Sequence, residues 1–386
     1  MRSLILATDI YTRGGIARYT YTFASALSNL VGPENVDVLA LLAYGTASDL
    51  NRQFRILGPL SDRLTLAAEA RYAIKALALA RRRYDLTVCS HLALAPIAAA
   101  IRLLYGTPFW VVCHGAEIWG ALSFLKRTAL GRSSLLLPIS RFTAEKLRSV
   151  HHTPEDRMAI LHNAIPNDFV SLLTEPGTNG EPEAAARNGE RTLLAVGNLG
   201  KAHTYKGFDT LVQALPAILK RAPAARCVIV GEGDDQERLE KLAAELGVRD
   251  RVTFAGSVTD EELARCYRSC DVFVLPSKAV ARNGNWGGEG FGRVYVEAAL
   301  AARPVVGSSG GGAAEAVVDG RTGLLVRPES AKEVAAAVVR LLEDPSLADR
   351  MGRAGREWVM QNFTESALRG SLGGLLRAQG FGVRHS

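Results

Sequence analysis

Short, continuously apolar runs recur along the chain, each followed by a glycine or polar loop and then by apolar residues at helical spacing. In the first half such runs fall at residues 4–8, 36–43, 86–90, 109–113, 135–138 and 158–161. In the second half they fall at 192–196, 226–230, 252–255, 272–275, 304–306 and 323–326. Runs this short, without polar alternation, predict strands buried on both faces of a parallel sheet. The helical stretches between them predict right-handed strand–helix–strand units.

The repeat is interrupted by E-P-G-T-N-G-E-P-E-A-A-A-R-N-G-E at 175–190, whose proline, glycine and charge predict a linker. At 386 residues the chain exceeds one ordinary core. The expected fold class is therefore α/β, two doubly wound domains joined near residue 180. Ligands of such sheets sit beyond the carboxyl ends of the strands, so two facing domains would enclose an interdomain cleft.

Composition narrows the class. A hydrophobic fraction of 48% and a charged fraction of 22% fit a soluble globular protein. The opening M-R-S-L-I-L-A-T-D-I reaches Asp9 at once and lacks a small-residue cleavage site, so it reads as a first strand. The longest apolar run, 92–101, contains Pro96 and stops at Arg102, too short to span a bilayer. Cys89, Cys113, Cys227, Cys266 and Cys270 form no disulfide framework and fit a reducing, cytoplasmic compartment. Cys266 and Cys270 share a helix face but lack further ligands, which favours packing over a metal site. The formal charge of +7 resides in residues 1–170, with 19 Lys and Arg against 12 Asp and Glu; the remainder balances. That asymmetry points to an anionic partner for the first half. No nucleic-acid motif accompanies it, which leaves a membrane surface or a phosphate-bearing substrate.

Candidate chemistry lies where strands end. After the first strand, Gly14 and Gly15 open a helix at about Ile16, and two readings stand: a tight turn, or backbone amides aimed at an anion. The dinucleotide pattern G-x-G-x-x-G is absent there. His114 in V-C-H-G-A-E-I-W sits just past a strand, as a structural hydrogen-bonder or a ligand contact. Glu117 beside it reads as a helix cap or a polar contact. In V-G-N-L-G-K-A-H-T-Y-K-G-F-D, Lys206 precedes a helix start, either solvated or poised on a phosphate. Asp234 and Asp235 are better explained as helix caps than as metal ligands. In G-E-G-F-G-R-V-Y-V-E-A, Glu289 falls in a loop and Glu297 on the helix beginning near Arg293. A salt-bridge partner and a pair of hydroxyl acceptors are both compatible with that spacing. The loop G-S-S-G-G-G-A-A-E-A again offers amides at a helix start.

E-G-F-G-R-V-Y-V-E-A together with A-R-P-V-V-G-S-S-G-G-G-A-A-E-A-V-V-D-G-R-T-G-L-L-V resembles the retaining glycosyltransferases of the large family-four group. The resemblance covers nearly the whole chain and implies the GT-B fold of two facing Rossmann-like domains. It assigns residues 1–175 to the acceptor-side domain, 176–190 to the linker and 191–365 to the nucleotide-sugar-binding domain. Residues 366–386 would form a C-terminal helix packing back on the first. By resemblance, Glu289 contacts donor sugar hydroxyls and Glu297 the ribose hydroxyls, with Phe291 and Gly292 shaping the loop near the diphosphate. Lys206 matches the lysine on the diphosphate, Gly14 and Gly15 the first-domain phosphate loop, and His114 the histidine near the transferred sugar. The group usually has arginine in a G-R-L segment where this chain has Gly197-Asn198-Leu199, so Asn198 removes a cation that Lys201 would have to replace.

The resemblance implies retaining, metal-independent hexosyl transfer from a nucleotide sugar to a lipid-linked saccharide or other glycan precursor in cell-surface polysaccharide synthesis. No cofactor is expected beyond the donor substrate. Lys206, the Gly14 and Gly15 amides and helix N-termini would stabilise the departing diphosphate. The basic segment 63–83, with Leu64, Ala67, Ala68, Tyr72, Ile74 and Leu77 interleaved, is either a helix covering the sheet or, with F-L-K-R at 124–127, a contact for anionic membrane. Peripheral attachment to the inner face of the cell membrane is the corresponding expectation. A nucleotide-sugar epimerase of similar shape and a non-catalytic nucleotide-sugar-binding module are the alternatives.

Overall fold

The computed structural model describes residues 1–12, 14–42, 53–58, 60–175, 189–282 and 285–384. They form two compact units, Met1–Pro166 with Glu365–Ser386, and Asn167–Thr364.

In the first unit, β1 (Ser3–Ala7), β2 (Val36–Ala40), β3 (Arg55–Ile56), β4 (Leu86–Cys89), β5 (Phe109–Cys113) and β6 (Leu135–Pro138) make one sheet in the order β3-β2-β1-β4-β5-β6. All its pairings are parallel. Every residue of β1, β2, β4, β5 and β6 is buried, as continuous apolar runs require. The two-residue β3 is held by a different device. Asp37 of β2 is buried and accepts from Arg55 Nε and Nη2 at 2.5 and 2.7 Å and from the Tyr84 hydroxyl at 2.5 Å. Burial pushes the Asp37 carboxyl up, but these hydrogen bonds and charges outweigh it and hold its pKa below the ordinary value. The expected strand at 158–161 is reduced to a single bridge, Leu136 to Met158. Ala159 and Leu161 N–H still donate to Leu136 and Pro138 carbonyls along the edge of β6.

Helix α1 (Gly15–Val31) follows β1, and α2 (Leu66–Ala80), α3 (Ala95–Tyr105), α4 (Phe124–Arg132) and α5 (Arg141–His151) follow in turn. Successive crossovers from β3 through β6 move in one direction and carry α2, α3 and α4 side by side on one face. On α2, Ala68, Tyr72, Ala76 and Leu79 recur at helical spacing and face inward, and the Tyr72 hydroxyl donates to Leu39 O at 2.9 Å. The opposite side leaves Leu66 and Ile74 exposed.

The second unit begins with α6 (Asn167–Thr174), earlier than the expected boundary at 175. Phe169 and Leu173 are buried, and the Leu172 carbonyl accepts from Arg268, so α6 belongs to this core. Of the expected linker, residues 176–188 lie outside the described residues. The strands are β7 (Arg191–Val196), β8 (Ala225–Val230), β9 (Val252–Gly256), β10 (Val272–Val274), the pair β11 (Val280–Arg282) and β12 (Asn285–Gly287), β13 (Val305–Ser308) and β14 (Gly323–Val326). The helices are α7 (Phe208–Arg221), α8 (Gln236–Glu245), α9 (Asp260–Ser269), α10 (Arg293–Leu300), α11 (Ala313–Ala316), α12 (Ala331–Glu343) and α13 (Pro345–Asn362). The main sheet runs β14-β13-β10-β7-β8-β9, all parallel. Edge strand β9 alternates in exposure because one of its faces is only partly covered. The antiparallel β11–β12 hairpin, absent from the expected elements, precedes Glu289.

Helix α14 (Glu365–Ala378) returns to the first unit and packs on α1, where Ser25 Oγ donates to Glu365 Oε1 at 2.5 Å. Counted along the chain, the main strands of each unit follow the same order, 3-2-1-4-5-6. That order puts a switch point between β1 and β4 in one unit and between β7 and β10 in the other, where α/β sheets bind ligands.

Candidate active site

The loops leaving β7 and β10 define the second unit's switch point. After β7, two short turns of 3-10 helix within Lys201–Lys206, kinked at His203, end on Gly207, whose φ of +79° is left-handed. A Cβ there would lie 2.1 Å from the Pro276 carbonyl oxygen, so only glycine lets this turn press against the end of β10. Lys278 N–H donates to Tyr205 O at 2.6 Å and closes the same contact. After β12, the Glu289 carbonyl accepts from Gly312 N–H at 3.0 Å. A Cβ on Gly312 would sit 2.0 Å from Gly290 O. Backbone stacked on backbone thus fixes where Lys206 and Glu289 point.

They point at each other. Lys206 Nζ hydrogen-bonds Glu289 Oε1, with each side chain only 13% exposed. Burial pulls the Lys206 ammonium down, but Glu289, with Tyr205 and Glu297 adding to it, lifts its pKa above the ordinary lysine value. The lysine therefore stays charged at neutral pH. Lys278, also largely buried, pairs with Asp209 at 2.9 Å.

Glu297 lies on α10, five residues beyond Gly292, whose left-handed φ of +87° starts the helix. Its Oε1 accepts from Arg293 Nε at 2.7 Å and its Oε2 from the Tyr267 hydroxyl at 2.8 Å. All three residues are buried. A carboxylate has about four acceptor positions, so each oxygen keeps capacity for a further donor. Both partners were missed from sequence, although the i, i+4 spacing of Arg293 and Glu297 is a helix-pair signal. Phe291 is buried edge-on against Phe363, with ring centroids 5.1 Å apart, and anchors the glycine loop.

Asn198 and Lys201 are not brought to the Lys206–Glu289 pair. Asn198 Oδ1 accepts from Gly200 N–H at 2.7 Å and shapes its own turn. Lys201 extends to Asp234 at 3.9 Å in an exposed pair of the kind worth little energetically.

In the first unit, Gly14 is the N-cap of α1 and Gly15 its first residue, both exposed. His114 follows β5 and is 8% exposed. Its Nε2 meets Ser90 O at 2.7 Å, its backbone N–H donates to Glu117 Oε1 at 2.5 Å, and Tyr19 packs edge-on to its ring at 5.3 Å. Burial holds the His114 imidazole below its ordinary pKa, against the opposing pull of Glu117. Glu117 thus serves as a backbone cap. His91, which follows β4, stacks on His114 with centroids 6.3 Å apart and was missed from sequence.

Among the described residues no group of three or more His, Cys, Asp or Glu is placed to hold a metal ion. No helix among them is long and apolar enough to cross a membrane. All five cysteines are free thiols.

Comparison with known proteins agrees with this arrangement. The model described as Glycosyl transferases group 1 matches residues 180–358, and that described as Glycosyltransferase Family 4 matches 13–169. Over 284 residues the chain is 36% identical to a GDP-mannose-dependent α-(1-6)-phosphatidylinositol monomannoside mannosyltransferase of Mycobacterium tuberculosis, covering 73% of this chain and 71% of that one. The protein of the same description from Mycolicibacterium smegmatis is 34% identical over 278 residues, covering 70% and 68%. The crystal structure of Anabaena HepE with UDP and glucose superposes with a TM-score of 0.78 at 19% identity, covering 97% of this chain and 99% of that one. Two Rossmann-like parallel-sheet units of this kind are the GT-B fold. The chain belongs to glycosyltransferase family 4. It is a glycosyltransferase.

Proposed function

We propose that the protein transfers mannose from GDP-mannose, with retention and without a metal, to a lipid-linked saccharide acceptor. The observation that carries this is the largely buried Lys206–Glu289 pair at the second unit's switch point, in a chain 36% identical to a GDP-mannose-dependent mannosyltransferase. Lys206 and the amides heading α10 take the donor diphosphate, where charge develops as the glycosidic bond breaks. Glu289 then exchanges its lysine contact for hydroxyls of the transferred sugar, and Glu297 accepts from the ribose. Phe291 and Gly292 hold the loop that presents those amides. On the first unit, the Gly14 and Gly15 amides take phosphate oxygens and His114 a substrate hydroxyl. Asn198 contributes turn geometry, and Lys201 a long-range positive charge. No cofactor takes part beyond the donor.

The test is incubation with GDP-mannose, UDP-glucose and ADP-glucose, with and without phosphatidylinositol monomannoside. We expect an α-linked mannosyl product only with GDP-mannose plus acceptor, undiminished by EDTA. An epimerised donor formed without acceptor points instead to an epimerase, and binding without product to a sugar-binding module.

A lipid acceptor calls for attachment to the membrane that carries it, on its cytoplasmic face. Supporting this, Leu66 and Ile74 of α2, Leu103 of α3 and Phe124 and Leu125 of α4 are exposed on neighbouring helices. Exposed Arg71, Lys75, Arg81, Arg82, Arg83 and Arg127 accompany them. Apolar anchors ringed by cations suit an anionic interface. Flotation with phosphatidylglycerol vesicles at low salt should carry the protein up and 0.5 M salt, as roughly a tenfold shortening of the screening length relative to 5 mM, should release it; no flotation at low salt removes the attachment.

A further inference from the structure

The amino ends of β7, β10 and β13 lie at the end of the second sheet opposite to Lys206 and Glu289, and three arginines gather there. Arg191 begins β7, Arg303 stands just before β13, and Arg356 comes from α13. They line a cavity of about 460 Å³ whose other walls include Ala301, Leu342, Pro345 and Ala348. That volume falls within the roughly 300–1,000 Å³ range of small-molecule sites. The three cations are not equally compensated. Arg191 Nη1 pairs with Asp271 at 3.2 Å, and Asp271 also accepts Thr192 N–H at 2.7 Å. Asp349, the other carboxylate on the wall, is taken by Arg353 one turn along α13. Among the described residues, the partners of Arg303 and Arg356 are neutral. Arg303 Nη2 donates to the Arg268 carbonyl, and Arg356 Nε to the Leu300 carbonyl at 2.7 Å. Arg303 Nε is buried and makes no hydrogen bond among them. A carbonyl satisfies an N–H without cancelling its charge, and unpaired charge away from water is costly. Burial, then the nearby Arg303 charge, holds the Arg356 guanidinium below its ordinary pKa. Arginine stays ionised all the same, so two like charges share one half-buried space.

We infer that this cavity binds a small phosphate monoester, its phosphate between Arg303 and Arg356 and its organic part against the apolar wall. Two uncompensated cations call for two negative charges, and a phosphate monoester carries about two at pH 7. A carboxylate or a sulfonate carries one and leaves a guanidinium unmatched. The phosphate oxygens also suit guanidinium geometry, because several acceptors on one centre can take N–H groups from two arginines at once. Ala301, Leu342, Pro345 and Ala348 offer no charge, which fits an uncharged remainder to the ester. The site lies at the other end of the strands from Lys206, so the ester does not compete with a ligand held there.

Phenyl phosphate and benzenesulfonate share a ring and differ by one charge, which makes them the probes. They are titrated calorimetrically at low salt into the full-length protein carrying Lys206→Met with Glu289→Gln, so that the cation at the carboxyl end of the sheet cannot hold them. Phenyl phosphate should bind at one site, about tenfold more tightly than benzenesulfonate, because its second charge meets the second guanidinium. Adding Ala348→Glu sets a carboxylate in the cavity and leaves every arginine in place. It should weaken phenyl phosphate about tenfold or more, and Arg303→Gln should do the same by removing one partner. Unchanged affinity in the Ala348→Glu protein overturns the proposal, whatever Arg303→Gln does to folding. Equal affinity for the two probes, or no heat with phenyl phosphate at two temperatures, also overturns it. Binding by wild type that vanishes in the Lys206→Met, Glu289→Gln protein places the anion at the other end of the sheet and overturns it as well. None of these titrations uses a nucleotide sugar, so their outcome is independent of the transfer reaction proposed above.

Discussion

Replacing Lys206 by methionine should lower the proposed mannosyl transfer by about 10²- to 10³-fold, the loss typical when one preorganised group facing developing charge is removed. The lysine is the largely buried cation beside Glu289, and its raised pKa keeps it charged throughout the neutral range. Two effects of the substitution have to be separated. Methionine also strands the Glu289 carboxylate in a site with little water, which destabilises the second unit by itself. Lys206→Met combined with Glu289→Gln removes the stranded charge, so the double variant should regain stability without regaining activity. Calorimetric titration supplies the second control. GDP affinity should fall in Lys206→Met, and guanosine affinity, which needs no phosphate contact, should not. Transfer within threefold of wild type in a folded Lys206→Met protein removes the lysine from the chemistry.

Glu297→Ala should be the most destabilising single change at the site, by about 3 kcal/mol, because it leaves the buried Arg293 guanidinium without its carboxylate and the Tyr267 hydroxyl without its acceptor. The position compounds the effect. Arg293 begins α10, and a cation at a helix N-terminus is opposed by the helix dipole. Urea unfolding of the second unit should show a lowered midpoint with the denaturant slope retained. Arg293→Met combined with Glu297→Gln should cost less than the sum of the single changes, the signature of coupled residues. Glu297→Gln keeps an oxygen for one partner and should be milder. If Glu297→Ala shifts the midpoint no more than a surface change, about 0.5 kcal/mol, the Arg293–Glu297–Tyr267 cluster is not what holds α10.

The two glutamates show what a sequence displays and what it hides. Their spacing and glycine context were legible, and α10 begins at Arg293, as the apolar pattern predicts. Whether each is structural or ligand-facing was not legible, because the deciding partners lie far along the chain: Lys206 is 83 positions from Glu289, and Tyr267 is 30 from Glu297. Glu297 has the salt-bridge partner that spacing alone allowed, without losing the capacity to accept hydroxyls. The parallel strands were legible because burial on both faces demands unbroken apolar runs. β3 was not, since two residues have no period and Arg55 is there for Asp37. The boundary of the first unit was placed late because α6 has the same apolar periodicity in either unit. Its packing on α9 and α10, with the Arg268 contact, assigns it. The hairpin β11–β12 was hidden by its length, three residues a strand. His91 escaped notice because a lone histidine after a strand has no distinguishing pattern until His114 stands beside it.

The return of α14 to α1 has a consequence for biosynthesis. The second unit is one uninterrupted stretch, Asn167–Thr364, whereas the first draws on both sides of it. During synthesis, Met1–Pro166 emerges with the α14-facing side of α1 uncovered, including Leu30, against which Gly373 later packs. Domains ordinarily fold in the order they leave the ribosome. Here the order is inverted: the unit made first is completed last, after the unit made second is already whole. Throughout that interval the nascent chain displays the apolar face of α1 that α14 later covers.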